Sequence, residues 1–360
     1  MDAKVLKVGI IGQGRSGRHI HGNQLVKMKE LYEITAIADS IEERQQLAKR
    51  EYGCNAYHTW QEMIENEKLD LVVNAAPSHL HFEISMQLLD RGVNVLCEKP
   101  LAKTAEEVNR LIEKSKKSNK ILAVFQNARF QPAFIQIRKV IESGILGRII
   151  QIDFTSNVFA RRWDWQTLQS SNGGNLMNTG SHPLDQALQL FGADVMPEVT
   201  CIMDRANTFG DAEDYVKLIL RGPGRPTIDL EISSCSAYPR HPFIVQGTNG
   251  GLYGSLQHLE WKYFIPEEAP PQQLIREPLF DQNGNPAYCS ETLNWYKDSW
   301  DITNRSDSMT LDSMEKNLYS KLYQTLVNGV PFEITPQQVR QQMMVIEECR
   351  RQNPHIYAGL

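Results

Sequence analysis

The sequence is poor in cysteine and has no long hydrophobic run. Its six cysteines among 360 residues lie far apart, with no C-x-x-C pair, which argues against a disulfide framework and a thiolate zinc site. No apolar stretch reaches the length of a membrane span. The first residues lead directly into an apolar strand pattern, so we expect no signal peptide and a cytoplasmic location. The cysteine spacing leads us to expect no bound metal.

Basic residues are not clustered either. The net charge is -5 and both signs are mixed along the chain, which argues against nucleic acid or an anionic membrane as a partner. Hydrophobic residues make up 41% and charged residues 22% of the chain, as in an ordinary soluble protein with sizeable cores. The length favours two domains.

A glycine-rich turn follows the first apolar run, residues 5–11. Gly12, Gly14 and Gly17 form a G-x-G-x-x-G pattern, after which apolar residues return at helical spacing. Gly12 permits the turn, Gly14 lets the backbone approach a pyrophosphate, and Gly17 lets helix and strand pack closely. This order predicts a dinucleotide site. The intervening residues predicted to contact the cofactor are Gln13, Arg15 and Ser16.

Asp39 and Ser40 follow a second apolar run, residues 32–38. An acidic residue there can bind the adenosine ribose and repel a 2′-phosphate, so we expect NAD as the cofactor in preference to NADP. Both residues can also cap the next helix, and the two roles are compatible. S-adenosylmethionine enzymes share these features, so the pattern alone leaves that class open. A P-loop is excluded because residues 12–19 lack its Lys and Ser/Thr.

Strands alternate with helices over the first third of the chain. Further apolar runs predict strands at residues 69–76, 94–97 and 121–125. Strands that are nearly continuously apolar indicate a parallel sheet covered on both faces. We therefore predict an α/β protein whose residues 1–126 form a Rossmann-type domain with a parallel sheet.

The pattern changes after residue 126. Strand-like segments with little helix between them lie at residues 148–157, 199–205, 215–220, 227–236, 243–246 and 259–264. They predict a C-terminal α+β domain, residues 127–335, with a largely antiparallel sheet. Because that sheet needs both faces covered and few helices are available, we expect a homodimer or homotetramer.

Three helices and a loop complete the second half. One helix lies within residues 173–191, and two more follow from Met309 onwards, separated at residues 329–336. Residues 266–304 are rich in proline and polar groups. We predict that they form a loop with a short helix covering a site or a neighbouring subunit.

Polar residues follow the third, fourth and fifth predicted strands. Ligands bind outside the carboxyl ends of such strands, which places these residues at the site: Ala76, Pro77, His79, His81, Glu98, Lys99, Gln126 and Asn127. Lys99 is the chemical candidate, because a lysine beside a cationic nicotinamide has a lowered pKa and can orient or deprotonate an alcohol. A surface ion pair with Glu98 is the alternative. His79 and His81 fit turn residues near the cofactor better than metal ligands, since no third ligand is evident.

These motifs resemble those of the glucose-fructose oxidoreductase, inositol dehydrogenase and MocA family. The matching segments are the glycine turn, residues 76–81, residues 95–102 and residues 173–185. The resemblance covers nearly the whole chain, and a final helix at 336–352 is implied to return to the first domain. It implies NAD(P)-dependent hydride transfer on a sugar, glycoside or cyclitol, with Lys99 and His182 in the catalytic places. The resemblance also implies substrate binding and oligomerisation for the C-terminal domain, residues 127–335.

The chain departs from the family at Asn178, where Asp is often found. An amide binds hydroxyls but cannot carry a proton or a negative charge, so His182 becomes the expected lone base. Its unperturbed pKa lies near neutrality, and Asp185, one helical turn on, could orient its ring. Without the motif, an isolated histidine would be assigned to the core.

Arg161, Trp163 and Asp164 lie in a segment that should overhang the site. Trp faces suit the C–H face of a sugar, while Arg and Asp bind paired hydroxyls. A tryptophan that anchors a loop is the alternative.

Two other functions stay open: redox-neutral glycoside cleavage through transient oxidation and elimination, and a non-catalytic NAD and sugar sensor. Retention of Lys99 and His182 argues against the sensor.

Overall fold

The first sheet of the protein has six parallel strands. The structure, a computed structural model, describes residues 4–193, 195–303 and 312–357, with the backbone alone at 312 and 313. The strands are Leu6–Ile11 (β1), Tyr32–Ala38 (β2), Asn55–Tyr57 (β3), Leu71–Asn74 (β4), Asn94–Cys97 (β5) and Leu122–Val124 (β6). Their order is β3-β2-β1-β4-β5-β6, which confirms the Rossmann-type sheet. The order reverses between β1 and β4, and a ligand crevice lies at such a reversal.

Helices cover both faces of this sheet. They are Asn23–Lys27 (α1), Glu42–Tyr52 (α2), Trp60–Asn66 (α3), His81–Asp90 (α4) and Ala105–Ser118 (α5). A π-helical segment, Arg15–Gly22, joins the glycine turn to α1. Thr59 and Thr104 cap α3 and α5 by accepting hydrogen bonds from the backbone three residues on, at 3.3 and 3.1 Å.

The second sheet has eight strands. They are Ile149–Asn157 (β7), Glu198–Asp204 (β8), Tyr215–Arg221 (β9), Thr227–Ser233 (β10), Phe243–Gly247 (β11), Gly250–Gly254 (β12), His258–Tyr263 (β13) and Tyr296–Asp301 (β14). Their order is β14-β13-β12-β11-β7-β10-β9-β8. All neighbours are antiparallel except the central β7 and β10, so the largely antiparallel α+β domain is confirmed.

The loop predicted at 266–304 is only partly correct. A short 3-10 helix lies at Pro266–Glu268, but the segment ends in the edge strand β14, which pairs with β13 along its whole length. Its sequence, Tyr-Lys-Asp-Ser-Trp-Asp, has few apolar residues, because an edge strand on a half-covered sheet buries little; Trp300 is the buried exception.

Four more helices link the sheets: Pro132–Glu142 (α6), Ser181–Phe191 (α7), Asp312–Asn328 (α8) and Pro336–Gln352 (α9). The predicted helix start at Met309 lies outside the described residues. We placed α8 in the second domain, yet Tyr319 of α8 packs in one buried cluster with β1 and β2, and the Tyr32 hydroxyl donates to its carbonyl oxygen at 2.7 Å. By its packing, α8 therefore covers the first sheet.

The last helix, α9, contacts α5, which covers the first sheet, and β8 of the second sheet. Its Glu347 accepts a hydrogen bond from the Ala105 backbone at 2.8 Å, at the start of α5. Its Gln352 accepts one from the Cys201 backbone in β8, also at 2.8 Å. Along the described parts of the chain, no helix combines the length and hydropathy that crossing a bilayer demands.

Candidate functional site

The glycine turn after β1 has the shape of a pyrophosphate cradle. Gly12 has φ +85°, and a Cβ there would lie 2.5 Å from the Ala75 carbonyl oxygen. A Cβ at Gly17 would lie 1.8 Å from the Gly12 carbonyl oxygen, whereas one at Gly14 would meet no protein atom within 4 Å. No side chain caps the helical segment that begins at Arg15. Open space at Gly14 beside an uncapped helix start fits a bound dinucleotide phosphate.

Asp39, at the end of β2, holds this turn in place. One carboxylate oxygen accepts from the Gln13 backbone N–H at 2.7 Å, and the other accepts from the Ile41 N–H at 2.9 Å. The Arg44 guanidinium lies 3.4 Å away, and Ser40 beside it is exposed. Asp39 thus ties the glycine turn to the start of α2, at the place where the ribose of a dinucleotide would lie.

The turn after β4 is fastened by His81. Its ring nitrogens lie 2.7 Å from the Pro100 carbonyl oxygen and 2.8 Å from that of Ala76, and burial lowers its pKa. A neutral ring has a single N–H and donates to only one of these two carbonyls, so the ring packs between the 76–77 turn and the peptide after Lys99. His79 and Pro77 are exposed at the same turn.

Lys99 reaches from the first sheet to the second domain. Its ammonium donates to the Asn178 carbonyl oxygen at 2.9 Å, and its peptide bond to Pro100 is cis. Burial lowers the pKa of Lys99; the Glu98 carboxylate opposes this and the Arg15 charge adds to it. Lys99 is thus not the exposed partner of a surface ion pair.

Glu98 belongs to a buried chain of polar groups that the sequence did not reveal. Its carboxylate lies 3.2 Å from His21 Nε2, and His21 Nδ1 lies 2.8 Å from the Tyr319 hydroxyl. It also accepts the Lys99 backbone N–H at 3.0 Å. Burial acts to raise the pKa of Glu98, but the His21 hydrogen bond and the His21 and Lys99 charges outweigh it and lower that pKa. A buried carboxylate is thereby held beneath Lys99.

His182 lies at the start of α7, facing the carboxyl edge of the first sheet. Its Nδ1 is 2.9 Å from the side-chain oxygen of Gln126, which follows β6. Burial, together with the Lys99 ammonium, lowers the pKa of His182 to about 3. The ring is therefore neutral near pH 7 and able to accept a proton.

The prediction that Asp185 orients the His182 ring is wrong. Both Asp185 oxygens accept from Arg129, each at 2.7 Å, and Asp185 is only 2% exposed. Gln126 occupies the orienting position instead. Arg129 also donates to Gln338 at 2.6 Å, so this pair links α7 to α9. Asn127, next to Gln126, donates to Glu315 of α8 at 2.8 Å.

Asn178 is the inner end of a second polar chain. Its amide nitrogen donates to Gln166 at 3.1 Å, and the same Gln166 oxygen accepts from Arg162. Arg162 also donates to both oxygens of Asp164. The structure therefore brings the Asn178 backbone to Lys99, while its side chain faces Gln166.

The remaining predicted substrate contacts are exposed. Trp163 is 78% exposed and packs edge-on against Phe209, with 6.4 Å between the ring centres. Arg161 stacks over the same Phe209 ring at 5.2 Å. These side chains form an outer rim to the polar chain that leads to Lys99.

Among the residues that the structure describes, no group of three or more His, Cys, Asp or Glu side chains is placed to bind a metal ion. The six cysteines are free thiols.

Comparisons with known proteins agree with this architecture. Residues 6–126 match the family model described as oxidoreductase family, NAD-binding Rossmann fold, and residues 134–253 match the GFO/IDH/MocA C-terminal domain. A solved structure of the oxidoreductase yvaA from Bacillus subtilis superposes with a TM-score of 0.79 at 21% identity, covering 97% of this chain and 98% of that one.

Three curated relatives are similar in sequence. An uncharacterized oxidoreductase of Schizosaccharomyces pombe is 26% identical over 95% of each chain. The scyllo-inositol 2-dehydrogenase (NADP(+)) IolW of Bacillus subtilis is 32% identical over 60% of this chain and 59% of that one. The D-glucoside 3-dehydrogenase of Escherichia coli is 29% identical over 55% of this chain and 58% of that one. With residues 6–126 and 134–253 matched by its two models, the chain belongs to the Gfo/Idh/MocA family of NAD-binding oxidoreductases.

Proposed function

We propose that this oxidoreductase transfers hydride between a secondary alcohol carbon of a sugar, glycoside or cyclitol and a nicotinamide cofactor. One observation carries the proposal: the Lys99 ammonium, just after the end of β5, bonds the Asn178 carbonyl oxygen at 2.9 Å, which brings it to the segment that leads into His182. The Lys99 charge acts in the same direction as burial on the pKa of His182. Two related dehydrogenases whose names specify an inositol and a glucoside support the substrate class.

His182 and Lys99 divide the proton chemistry of the alcohol oxygen. The neutral His182 ring accepts the hydroxyl proton as the carbonyl forms. The Lys99 ammonium, which donates to Asn178 without substrate, donates to the substrate oxygen and stabilises the negative charge developing on it. The cofactor supplies nicotinamide C4 as the hydride acceptor. The residues around the crevice hold the alcohol carbon and nicotinamide C4 in the relative position that hydride transfer requires.

The cofactor contacts form a continuous surface at the reversal of the sheet. Gly12 to Gly17 hold the pyrophosphate, and Asp39 with Ser40 binds the adenosine ribose. Ala76, Pro77 and His79 line the turn after β4, and Lys99 lines the nicotinamide end. His81, Glu98 and Gln126 are buried and support these contacts from below. NAD is the preferred cofactor because the Asp39 carboxylate repels a 2′-phosphate. Arg44, 3.4 Å from that carboxylate, reduces the repulsion, and the relative IolW carries NADP(+) in its name.

The substrate contacts extend outward from His182. Asn178 binds a hydroxyl group through its amide in exchange for its bond to Gln166. Asn127 is buried and bonded to Glu315, and Asp185 is buried with Arg129, so both support the site without touching substrate. Arg161, Trp163 and Asp164 form the outer rim, where the exposed Trp163 face suits a sugar ring. Asp164 is already bonded to Arg162, so it offers only its free lone pairs to a hydroxyl.

A homodimer or homotetramer assembled through the outer face of the second sheet remains a prediction, as does a cytoplasmic location. That face exposes Ile202 and Tyr253 on strands whose other side is buried. Light scattering at micromolar concentration tests the assembly, and a monomer alone would reject it.

The decisive experiment is incubation with NAD or NADP and a panel of sugars, glycosides and inositols, followed by NADH or NADPH fluorescence. Reduction of cofactor with one substrate class supports the proposal. Release of an aglycone without net NADH would instead identify redox-neutral cleavage. Ligand binding without any turnover would identify a sensor.

A further inference from the structure

Two glutamine side chains lie between the last helix and His182. Gln342 of α9 and Gln126 after β6 are 2% and 1% exposed and are separated by 216 positions in sequence. The Gln126 amide nitrogen donates to the Gln342 oxygen at 3.1 Å. At the other end, the Gln126 oxygen is 2.9 Å from His182 Nδ1. A buried amide chain thus connects α9 to the proposed base.

A backbone carbonyl fixes the direction of this chain. The Gln342 nitrogen lies 2.5 Å from the Ser181 carbonyl oxygen, and a carbonyl can only accept a hydrogen bond. Gln342 must therefore point its nitrogen at Ser181 and its oxygen at Gln126. Gln126 must then present its nitrogen to Gln342 and its oxygen to His182. Reversing either amide would place two oxygens or two N–H groups face to face.

This direction determines which ring nitrogen of His182 carries the hydrogen. A neutral imidazole has one N–H and one bare nitrogen, and the nitrogen that faces the Gln126 oxygen must be the donor. The charged groups acting on the ring are Lys99 and Glu98. Neither is bonded to Nδ1 in the described contacts, so the amide chain alone selects the tautomer.

We propose that Gln342 is a positioning residue that, through Gln126, holds neutral His182 with hydrogen on Nδ1 and leaves Nε2 bare to accept the substrate proton. Gln126 alone could turn either face of its amide toward the ring; Gln342 makes it an acceptor. The part that concerns catalysis rests on the proposed function, whereas the tautomer is a property of the protein without substrate.

The test is the tautomer of His182 in protein labelled with 15N in histidine, read from long-range 1H–15N spectra and assigned by loss of the signal in His182→Asn. In the unaltered protein we expect hydrogen on Nδ1. Gln342→Met keeps the length of the side chain but replaces the amide by a thioether, which cannot donate a hydrogen bond and accepts one only weakly. In this variant we expect a mixture of tautomers and a kcat lower by roughly tenfold or more. Gln341→Met is the matched control. Gln341 is a buried glutamine on the same helix, bonded to Val195 and outside this chain, so neither quantity should change.

A rescue separates positioning from packing. In Gln126→Glu/Gln342→Met, the carboxylate accepts from Nδ1 without any help from position 342, so hydrogen should return to Nδ1 although the packing change at 342 is retained. If Gln342→Met alone does not fold, the tautomer of His182 in this double variant provides the test instead. Hydrogen on Nε2 in the unaltered protein, an unchanged tautomer in folded Gln342→Met, or no recovery in folded Gln126→Glu/Gln342→Met would each overturn the inference. If the tautomer responds as expected but no substrate is turned over by the unaltered protein, the proposed function fails and the positioning role stands.

Discussion

The Lys99 ammonium donates a hydrogen bond to the Asn178 backbone carbonyl oxygen at 2.9 Å, across the boundary between the two domains. A backbone carbonyl keeps the lysine extended over the crevice without adding the negative charge that a carboxylate would bring. Because Lys99 is partly buried and desolvation lowers its pKa, a substrate oxygen that replaces this carbonyl would meet a poorly solvated cation. That is the condition under which one ammonium strongly stabilises an alkoxide.

Lys99→Met should lower kcat roughly 100-fold or more while leaving the dissociation constant for NAD nearly unchanged. The reason is that the lysine contact strengthens only as the alkoxide develops. Steady-state kinetics and fluorescence titration with NADH measure the two quantities. Lys103→Met is the control, because Lys103 is exposed four residues away and should behave as the unaltered protein. A Lys99→Met enzyme that works at close to the parent rate would place the chemistry elsewhere.

The same substitution should raise the pKa of His182. The Lys99 charge helps to lower that pKa to about 3, so its removal makes the imidazolium easier to form, by roughly one pKa unit or about 1.4 kcal/mol. Because His182 must be unprotonated to act as a base, the acidic limb of kcat/KM should move to higher pH. An NMR titration of the imidazole signals measures the shift directly.

His258 provides an internal control in those spectra. Its ring nitrogens bond Glu260 and Asp301 at 2.9 and 2.8 Å, which raises its pKa, and it lies on the second sheet away from Lys99. Its titration should be the same in both proteins. An unmoved His182 beside an unmoved His258 would show that Lys99 does not act on the ring.

The fold could be predicted where burial dictates residue type. The strands of the first sheet are buried on both faces, so β1, β2, β4 and β5 stand out as continuous apolar runs. Three strands gave no such signal. β3 has three residues, β12 contains three glycines, and β14 is a polar edge. Their pairing depends on the neighbouring strands and not on their own composition.

The site could be predicted only where its residues form a local motif. Lys99 follows a strand end and His182 lies in a glycine-rich turn motif, so both were found. Gln126 is predicted at the site as a cofactor contact, but its bond to His182 is not. Gln342 is not predicted at all, because it lies 216 positions from Gln126 and looks like an ordinary polar residue. Asp185 was assigned to His182 from helical spacing alone, since the distant Arg129 that engages it leaves no trace in the local sequence.

Asp39→Asn should shift cofactor preference toward NADP. The substitution removes the charge that repels a 2′-phosphate. The single amide oxygen keeps only one of the two backbone bonds that the carboxylate accepts, from Gln13 at 2.7 Å or from Ile41 at 2.9 Å. We expect the ratio of kcat/KM for NADP over NAD to rise about tenfold or more, equivalent to about 1.4 kcal/mol. Steady-state kinetics with both cofactors measure it.

Two further variants test the reason for that shift. Glu43→Gln removes an exposed charge four residues away and should leave the ratio unchanged. Asp39→Asn/Arg44→Met should lose part of the gain, because Arg44 is the cation placed to bind the 2′-phosphate. A clear preference for NADP in the unaltered protein would contradict the assignment of Asp39.

Arg129→Met should destabilise the protein by about 3–5 kcal/mol, because it leaves the buried Asp185 carboxylate without its partner. Urea unfolding measures the change. Arg138→Met is the control, since Arg138 and Glu142 form an exposed pair on α6 worth at most about 0.5 kcal/mol. Removing both charges in Arg129→Met/Asp185→Leu should cost less than Arg129→Met alone, because no uncompensated charge is then buried. Both variants lack the bond from Arg129 to Gln338 of α9, so the comparison isolates position 185. A double variant less stable than Arg129→Met would show that an unpaired Asp185 charge is not the main cost of losing Arg129.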